Sequence, residues 1–310
     1  MSLEKSHPVH LEPSELGTKE YWDEYYQNDL ENGAVHSDDE DDAEIEDGSD
    51  EKTGSEQQPP DPSELESWFD DVGAPAKTLA FLTSTTFPLS PNYVGLSGNT
   101  RKAPSVLDLG TGNGSALFAL RLHGHYTGRM VGVDYSSKSV ELARRLRVRY
   151  ASAASSATDS GSSVENMAFE VFDIIHDSPH AQPWWDSSLD PGGFDLVLDK
   201  GTFDAISLSS ATVADPASSN RHQRRMCELY PAKVLQMVKA GGYLLVTSCN
   251  WTEAEVVAWF TTCPPGGREN EVFEVYDAIK YPVFEFGGQK GQGVASVCFR
   301  KPQRTETDQG

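Results

Sequence analysis

The sequence predicts a doubly wound α/β fold, a mostly parallel sheet with helices on both faces. Three observations lead there. Short apolar runs alternate with helix-period runs from about Pro104 to Phe299. The run Val106-Leu-Asp-Leu-Gly-Thr-Gly-Asn-Gly114 reads as a strand ending in an acid, then Gly110, Gly112 and Gly114, then the start of a helix. Val131-Gly-Val-Asp134 reads as a second strand ending in an acid, spaced as a β-α-β nucleotide-binding unit requires.

Leu16 to Leu30 reads as a short helix in which Trp22, Tyr25 and Tyr26 cluster among acids, and Ala76 to Thr83 as a second helix. Strand one is Ser105–Leu109, followed by a helix from Asn113 to His123. Strand two is Met130–Val133, followed by a helix from Lys138 to Arg149 whose four arginines read as a solvated face. Ala151 to Ser163 is a low-complexity Ser/Ala loop insertion. Strand three, Ala168–Phe172, ends at Asp173, and strand four, Phe194–Leu198, ends at Asp199 and Lys200. Ser209 to Asn220 reads as a flexible connection, and a helix from about Arg221 to Lys239 is expected to bend at Pro231. Gly241-Gly242 ends that helix ahead of strand five, Tyr243–Ser248. Thr252 reads as the N-cap of a helix to Thr261. Val272–Tyr276 and Val294–Phe299 are the last strands, joined by a Gly-rich loop. Ligands of such sheets bind beyond the carboxyl ends of the strands. Asp108, Asp134, Asp173 and Asp199 all fall there.

The glycine run favours a nucleoside with an amino-acid tail over a dinucleotide. A dinucleotide fingerprint places its third glycine at position 115, where this chain has Ser. It has no need of an acid two residues before the first glycine, whereas Asp108 in that place suits a cationic ligand. S-adenosylmethionine (SAM) fits both features. The Gly110–Gly114 loop, with Gly112 at its centre, admits the methionine part. Asp134 is placed to accept both ribose hydroxyls, and Asp173 the adenine amino group, with Ile174 offering a backbone N–H. Tyr135 is placed to pack on the adenine face. Asp173 reads equally well as an Asx-turn. Methyl transfer depends on positioning two reactants and excluding water. If the nucleophile is a lysine amine, Asp199 is expected to take its proton and Phe203 to supply an aromatic wall for its side chain. Asp204 reads equally as a site residue and as a helix cap.

The formal net charge is −23, yet residues 29–71 alone hold eighteen acids and one Lys. The acidity is therefore local, and 33–66 reads as a disordered acidic insertion. Such a charge disfavours nucleic acid as a substrate, because phosphate binding needs clustered Lys and Arg. Four scattered cysteines give neither a zinc spacing nor a disulfide framework, which points to a reducing compartment. The opening residues are polar and no apolar run is long enough to span a bilayer, so no membrane association is expected.

The motifs Leu16-Gly-Thr-Lys-Glu-Tyr-Trp-Asp-Glu-Tyr-Tyr26, Trp68-Phe69, Leu107-Asp-Leu-Gly-Thr-Gly-Asn-Gly114, Asp199-Lys-Gly-Thr-Phe-Asp-Ala-Ile206 and Tyr281-Pro-Val-Phe-Glu-Phe-Gly-Gly288 form a set. Together they resemble the eukaryotic seven-strand lysine methyltransferases that modify translation elongation factor 1-alpha. The resemblance covers roughly residues 14–32 and 68–301. It implies a Rossmann-like class I methyltransferase with sheet order 3-2-1-4-5-7-6 and an antiparallel seventh strand. It also implies SAM as cofactor, the elongation factor as protein partner, and a cytoplasmic enzyme expected to be a monomer. Carried over by position, Gly110, Asp134, Tyr135, Asp173, Ile174 and the Lys200 backbone resemble the family's SAM contacts. Trp22 and Tyr26 match an amino-terminal aromatic motif that closes over the cofactor. The expected organisation is an aromatic helix segment (1–32), the acidic insertion (33–66), the methyltransferase domain (67–301) and a flexible tail (302–310). Insertions at 33–66, 151–163 and about 209–220 depart from the family pattern, and the first separates Trp22 from Trp68, which should dock together. Two other readings are a small-molecule methyltransferase, which the lack of an apolar helical lid disfavours, and a non-catalytic SAM-binding protein.

Overall fold

A computed structural model describes residues 8–32, 59–95, 102–154, 163–214, 223–263, 272–286 and 289–303. After a 3-10 turn at Glu15–Gly17 come α1 (Lys19–Asn32) and α2 (Ala74–Leu82). The main domain runs β1 (Val106–Leu109), α3 (Ser115–Leu122), β2 (Met130–Asp134), α4 (Ser137–Ala154), β3 (Met167–Val171), β4 (Phe194–Lys200) and α5 (Thr202–Ser207). A short antiparallel pair, β5 (Thr212–Ala214) and β6 (Gln223–Arg225), leads to α6 (Met226–Met237), β7 (Val238–Ser248) and α7 (Glu253–Thr261). The chain then forms β8 (Glu274–Ile279), the hairpin β9 (Val283–Phe286) and β10 (Gln289–Gln292), and β11 (Ala295–Arg300).

The central sheet has the order β3-β2-β1-β4-β7-β11-β8. Numbered among sheet strands alone, this is the expected 3-2-1-4-5-7-6. β11 is antiparallel to both neighbours, while the pairings from β3 across to β7 are parallel. All residues of β1 and β2 are buried, as strands covered on both faces must be. Alternate side chains feed two cores, since successive residues of a strand point to opposite faces. Val106, Leu196 and Leu198 join the core under α3 and α4, and Leu107, Leu109 and Val197 join the one under α6 and α7.

Several elements differ from the expectation, each for a local reason. α4 continues to Ala154, through the first residues of the Ser/Ala stretch. Its arginines are not all solvated. Arg144 Nε donates to Phe169 O at 2.8 Å and Arg147 Nη1 to Met167 O at 2.9 Å, which covers the edge strand β3. The connection after Ser209 contains β5, and the next helix starts only at Met226, where the Glu228 carboxylate accepts the Arg225 N–H. β7 takes in Gly241 and Gly242 through an irregular register against β4, and the Gly-rich loop before β11 contains the β9–β10 hairpin. The α7 cap is as expected: Thr252 Oγ1 accepts from Glu255 N, and Glu255 reaches back to Thr252 N.

The amino-terminal segment is strapped across the carboxyl ends of the strands. Ser14 N donates to Leu208 O at 3.1 Å, and Arg225 donates to Leu11 O, Ser207 O and Ser209 O. Trp22 packs on Trp68 with ring centroids 5.2 Å apart, so the two pieces dock as the family pattern requires.

Residues 33–58 of the acidic insertion lie outside the described residues, as do 304–310 of the tail. Residues 59–66, assigned to the same disordered insertion, are instead packed. Pro62 and Leu65 are buried, Tyr150 donates to Pro60 O at 2.7 Å, and His123 lies 3.2 Å from Asp61. Their apolar residues reach the core. Deleting 34–57 should therefore leave the melting temperature unchanged, whereas deleting 34–62 should lower it measurably by removing the Tyr150 bond, worth about 1 kcal/mol. Equal melting temperatures for the two deletions would show that residues 58–62 contribute nothing.

Candidate active site

A cavity of about 470 Å³ opens beyond the carboxyl ends of β1, β2 and β4, roofed by α1 and Ser67–Phe69. That is within the ordinary range for a small-molecule site. Its floor is the glycine loop. Thr111 N donates to Val133 O at 3.0 Å, and Thr202 Oγ1 donates to Leu109 O at 2.6 Å, tying the loop to β2 and α5. Gly110 and Gly112 have φ of 64° and 56°. A Cβ on Gly110 would collide with the Thr202 hydroxyl, and one on Gly112 would stand 2.7 Å from the Tyr26 hydroxyl. Glycine is needed at both.

Asp134 ends β2 beside this loop. Its carboxylate accepts Gly112 N at 3.1 Å and Ser136 N at 2.9 Å, and burial raises its pKa above the ordinary carboxylate value. Tyr135 also lines the cavity, donating to Thr18 O at 3.1 Å. Asp173 lines it too, but Oδ1 accepts Ile175 N and His176 N and Oδ2 meets His176 Nδ1 at 2.9 Å. The Asx-turn is therefore present at Asp173. Its backbone bonds use Ile175 and His176 and pass over the N–H of Ile174, another wall residue. Lys200 is half-buried on the wall, where burial lowers its pKa. Trp22 and Tyr26 line the cavity from α1.

Four expected residues stand elsewhere. Gly114 turns the chain into α3, packed close to Phe118 and Phe169. Asp108 lies beneath the loop, accepts Thr111 Oγ1 at 2.8 Å, and is pushed up to about 6 by burial. Two corrections concern catalysis. Asp199, 1 % exposed, does not line the cavity. Its Oδ1 accepts Thr202 N and Phe203 N at the start of α5, and its Oδ2 accepts the Tyr230 hydroxyl at 2.7 Å. Phe203 is fully buried among Tyr230, Trp251, Trp259 and Phe260, so its ring has no face for a substrate. Both sit behind the wall because α5 begins at Thr202 and turns its first apolar residue inward.

Wall residues missed by the sequence reading include Ser67 and Asn250. Ser67 adjoins the Trp68-Phe69 motif, a signal that was available; Asn250 follows β7 with no pattern to mark it.

These residues fit SAM. The glycines leave a cradle that a Cβ would fill, and a buried carboxylate stands beside it for a diol. The Ser67 hydroxyl is buried without a hydrogen-bond partner among the described residues, and Ser67 is on the wall. Further wall acids, Glu20, Asp29, Glu66 and Asp204, suit a cationic ligand.

Fold and site together define a SAM-dependent methyltransferase. A family model described as a methyltransferase domain matches residues 100–288. The protein-lysine N-methyltransferase EFM4 of Saccharomyces cerevisiae is 33% identical over 94% of this chain and 96% of its own length. Its Schizosaccharomyces pombe namesake is 31% identical over 94% and 95%. The human EEF1A lysine methyltransferase 2 is 29% identical over 93% and 88%. The chain belongs to this methyltransferase-domain family, within the group that these protein-lysine N-methyltransferases represent.

Asp134→Ala should weaken SAM binding roughly ten- to a hundredfold, since hydrogen bonds to a charged group are worth about 1.5–3 kcal/mol. Calorimetric titration with unchanged affinity would remove Asp134 from the site.

Asp199 yields a stability prediction. Its folded pKa, about 7, lies above the ordinary 3.8, so the folded state holds the proton more tightly. That contribution is fully present below the unfolded pKa and is lost as pH rises through the folded one. The melting temperature of the wild type relative to Asp199→Asn should therefore fall between about pH 4 and pH 8. A constant difference across that window would show that Asp199 does not titrate in it.

Proposed function

We propose that this chain transfers methyl groups from SAM to a lysine of translation elongation factor 1-alpha, as a cytoplasmic monomer acting on protein, not on nucleic acid or membrane. The observation that carries this reading is the extent of the match. Relatives named for protein-lysine methylation, and in mammals for the elongation factor, align over 93–94% of the chain. The alignment is too long to be confined to the cofactor half of the fold. The free cysteines accord with a reducing compartment.

When bound, SAM supplies an electrophilic methyl group on a sulfonium sulfur. The chain's own residues then position, shield and compensate charge. Asp134 and the Gly110–Gly112 backbone would hold the nucleoside and its tail at the floor, and Tyr135 and Ile174 would flank the base. Trp22, Trp68 and Tyr26 form the aromatic roof and keep water from the reacting atoms. α1 is pinned for this task, because Asp23 accepts the Ser136 hydroxyl at 2.6 Å and Tyr25 donates to Glu66 at 2.6 Å. A lysine threaded past this roof enters a cavity whose carboxylates favour its positive charge. The reaction needs the amine held in line, and the fixed walls provide that orientation.

The test is incubation of the purified chain with SAM and unmodified elongation factor 1-alpha, read by peptide mass spectrometry. The expected result is methylation of one lysine, lost in Asp134→Ala. An unmodified factor, with labelled small molecules appearing in a lysate extract instead, would transfer the assignment to a small-molecule enzyme.

A further inference from the structure

With Asp199 turned into the interior, another carboxylate occupies the cavity wall near the end of β4. Asp204 on α5 lines the cavity together with Cys249 and Asn250, which follow β7. It is 5% exposed. Ser248 Oγ donates to its Oδ1 at 2.5 Å, and Cys249 N donates to its Oδ2 at 2.8 Å. Donors from one short turn thus hold both oxygens, with the Cys249 thiol and the Asn250 N–H also favouring the charged form. Among the described residues, no cation pairs with Asp204 at all.

A buried carboxylate with hydrogen-bond donors but no counter-ion is costly to keep. The cost is understandable if a cation completes the arrangement when ligand enters. Lys200 lines the same cavity, but the charges that act on it are Asp108, Asp70 and Asp199, and among the described residues it forms no ion pair with Asp204. Asp199 on β4 is a like charge when ionised, and the Cys249 thiol is pushed up to about 12 by burial and by Asp204 itself, so it stays neutral. Burial pushes Asp204 up to about 6, which leaves it ionised at neutral pH yet more basic than an ordinary carboxylate. The cavity wall on this side is continued by Ser209, Ser210, Ala211 and Met226, whereas the expected adenine contacts Asp173 and Ile174 belong to the segment after β3.

We propose that Asp204 receives the ammonium group of the substrate lysine and takes one of its protons before the methyl group is transferred. The inference rests on the reading of the chain as a lysine methyltransferase. In the step, one N–H bond of the ammonium breaks and its electron pair stays on nitrogen, while the proton forms an O–H bond with the carboxylate. The neutral amine then has the lone pair that the new N–C bond requires. Ser248 is a positioning residue, since it holds the carboxylate and favours its charged form.

The experiment compares wild type, Asp204→Asn, Ser248→Ala and Asp199→Asn on purified elongation factor 1-alpha across about pH 5.5 to 9.5. SAM and S-adenosylhomocysteine (SAH) affinities are measured by calorimetry alongside. Asp204→Asn is expected to lower kcat/KM about a hundredfold near neutral pH, as for other positioned proton acceptors. The deficit should narrow at high pH, where the lysine sheds its proton unaided, and both cofactor affinities should stay within about twofold. Ser248→Ala should move the acid limb of the wild-type profile to higher pH, because it removes a hydrogen bond that favours the carboxylate. The Ser248→Ala arm still decides the matter if Asp204→Asn does not fold. A deficit that is constant with pH would make Asp204 a structural cap, and a selective loss of SAM over SAH would place it against the sulfonium; either overturns the proposal. An acid limb that Ser248→Ala leaves in place, or that vanishes in Asp199→Asn, does the same. A wild type inert toward the factor at every pH overturns the substrate reading and this inference with it, whereas an active wild type matched by Asp204→Asn overturns only the inference.

Discussion

The contact between the Gly112 amide and the Asp134 carboxylate is the constraint on which the rest of the site depends. It can form only because β1 and β2 are adjacent and parallel, with Leu109 in register with Val133, so that both strands end at the same level. It also requires a backbone at Gly112 that L-residues with side chains seldom adopt. The loop then lies flat across the strand ends, leaving room above it for a ligand and a carboxylate already oriented at its edge. Such orientation matters more than the strength of any one bond, since preorganised groups need no rearrangement during reaction.

The roof depends on the floor. Tyr26 reaches the Gly112 position, Asp23 binds Ser136 just after Asp134, and Tyr135 binds Thr18. Every one of these contacts joins the amino-terminal strap to the same two strand ends. The Trp22–Trp68 packing then closes the top, with Glu66 held by both Tyr25 and Asn113. A strap fastened at so many points defines the space above the loop as firmly as a strand would.

The acids at the strand ends divide into two groups with different tasks. Asp108 and Asp199 lie under the wall, where burial raises both pKa values and hydrogen bonds offset only part of that cost. Each anchors the turn that follows it: Asp108 binds Thr111, and Asp199 binds the first amides of α5 and Tyr230. Asp134, Asp173 and Asp204 face the cavity. Structural acids thus set the backbone that presents the cavity-facing ones, an arrangement that gives neighbouring carboxylates separate environments.

The sequence by itself determined the strand ends and the glycine loop, because these follow from local rules, whereas the order of the sheet came only with the family resemblance. Buried parallel strands read as apolar runs, tight turns read as glycines, and the Thr252 cap reads from its spacing to Glu255. It also determined Asp134 as a wall residue, since a residue next to such a loop has little freedom of placement. Only the tertiary structure decided which acid of the Asp199-Lys-Gly-Thr-Phe-Asp204 run faces the cavity. That depends on where α5 starts and how far it rotates, and a shift of one residue turns a helical side chain by about 100°. Phe203 entered the core because the aromatic residues of α6 and α7, and Trp251 ahead of α7, offered a better-packed surface there. Arg144 and Arg147 turn toward β3 because it is an edge strand with carbonyls to cover. Pro62 and Leu65 left the acidic stretch because the core had space for them. In each case the deciding partner lies far away in sequence, and no local pattern carries it.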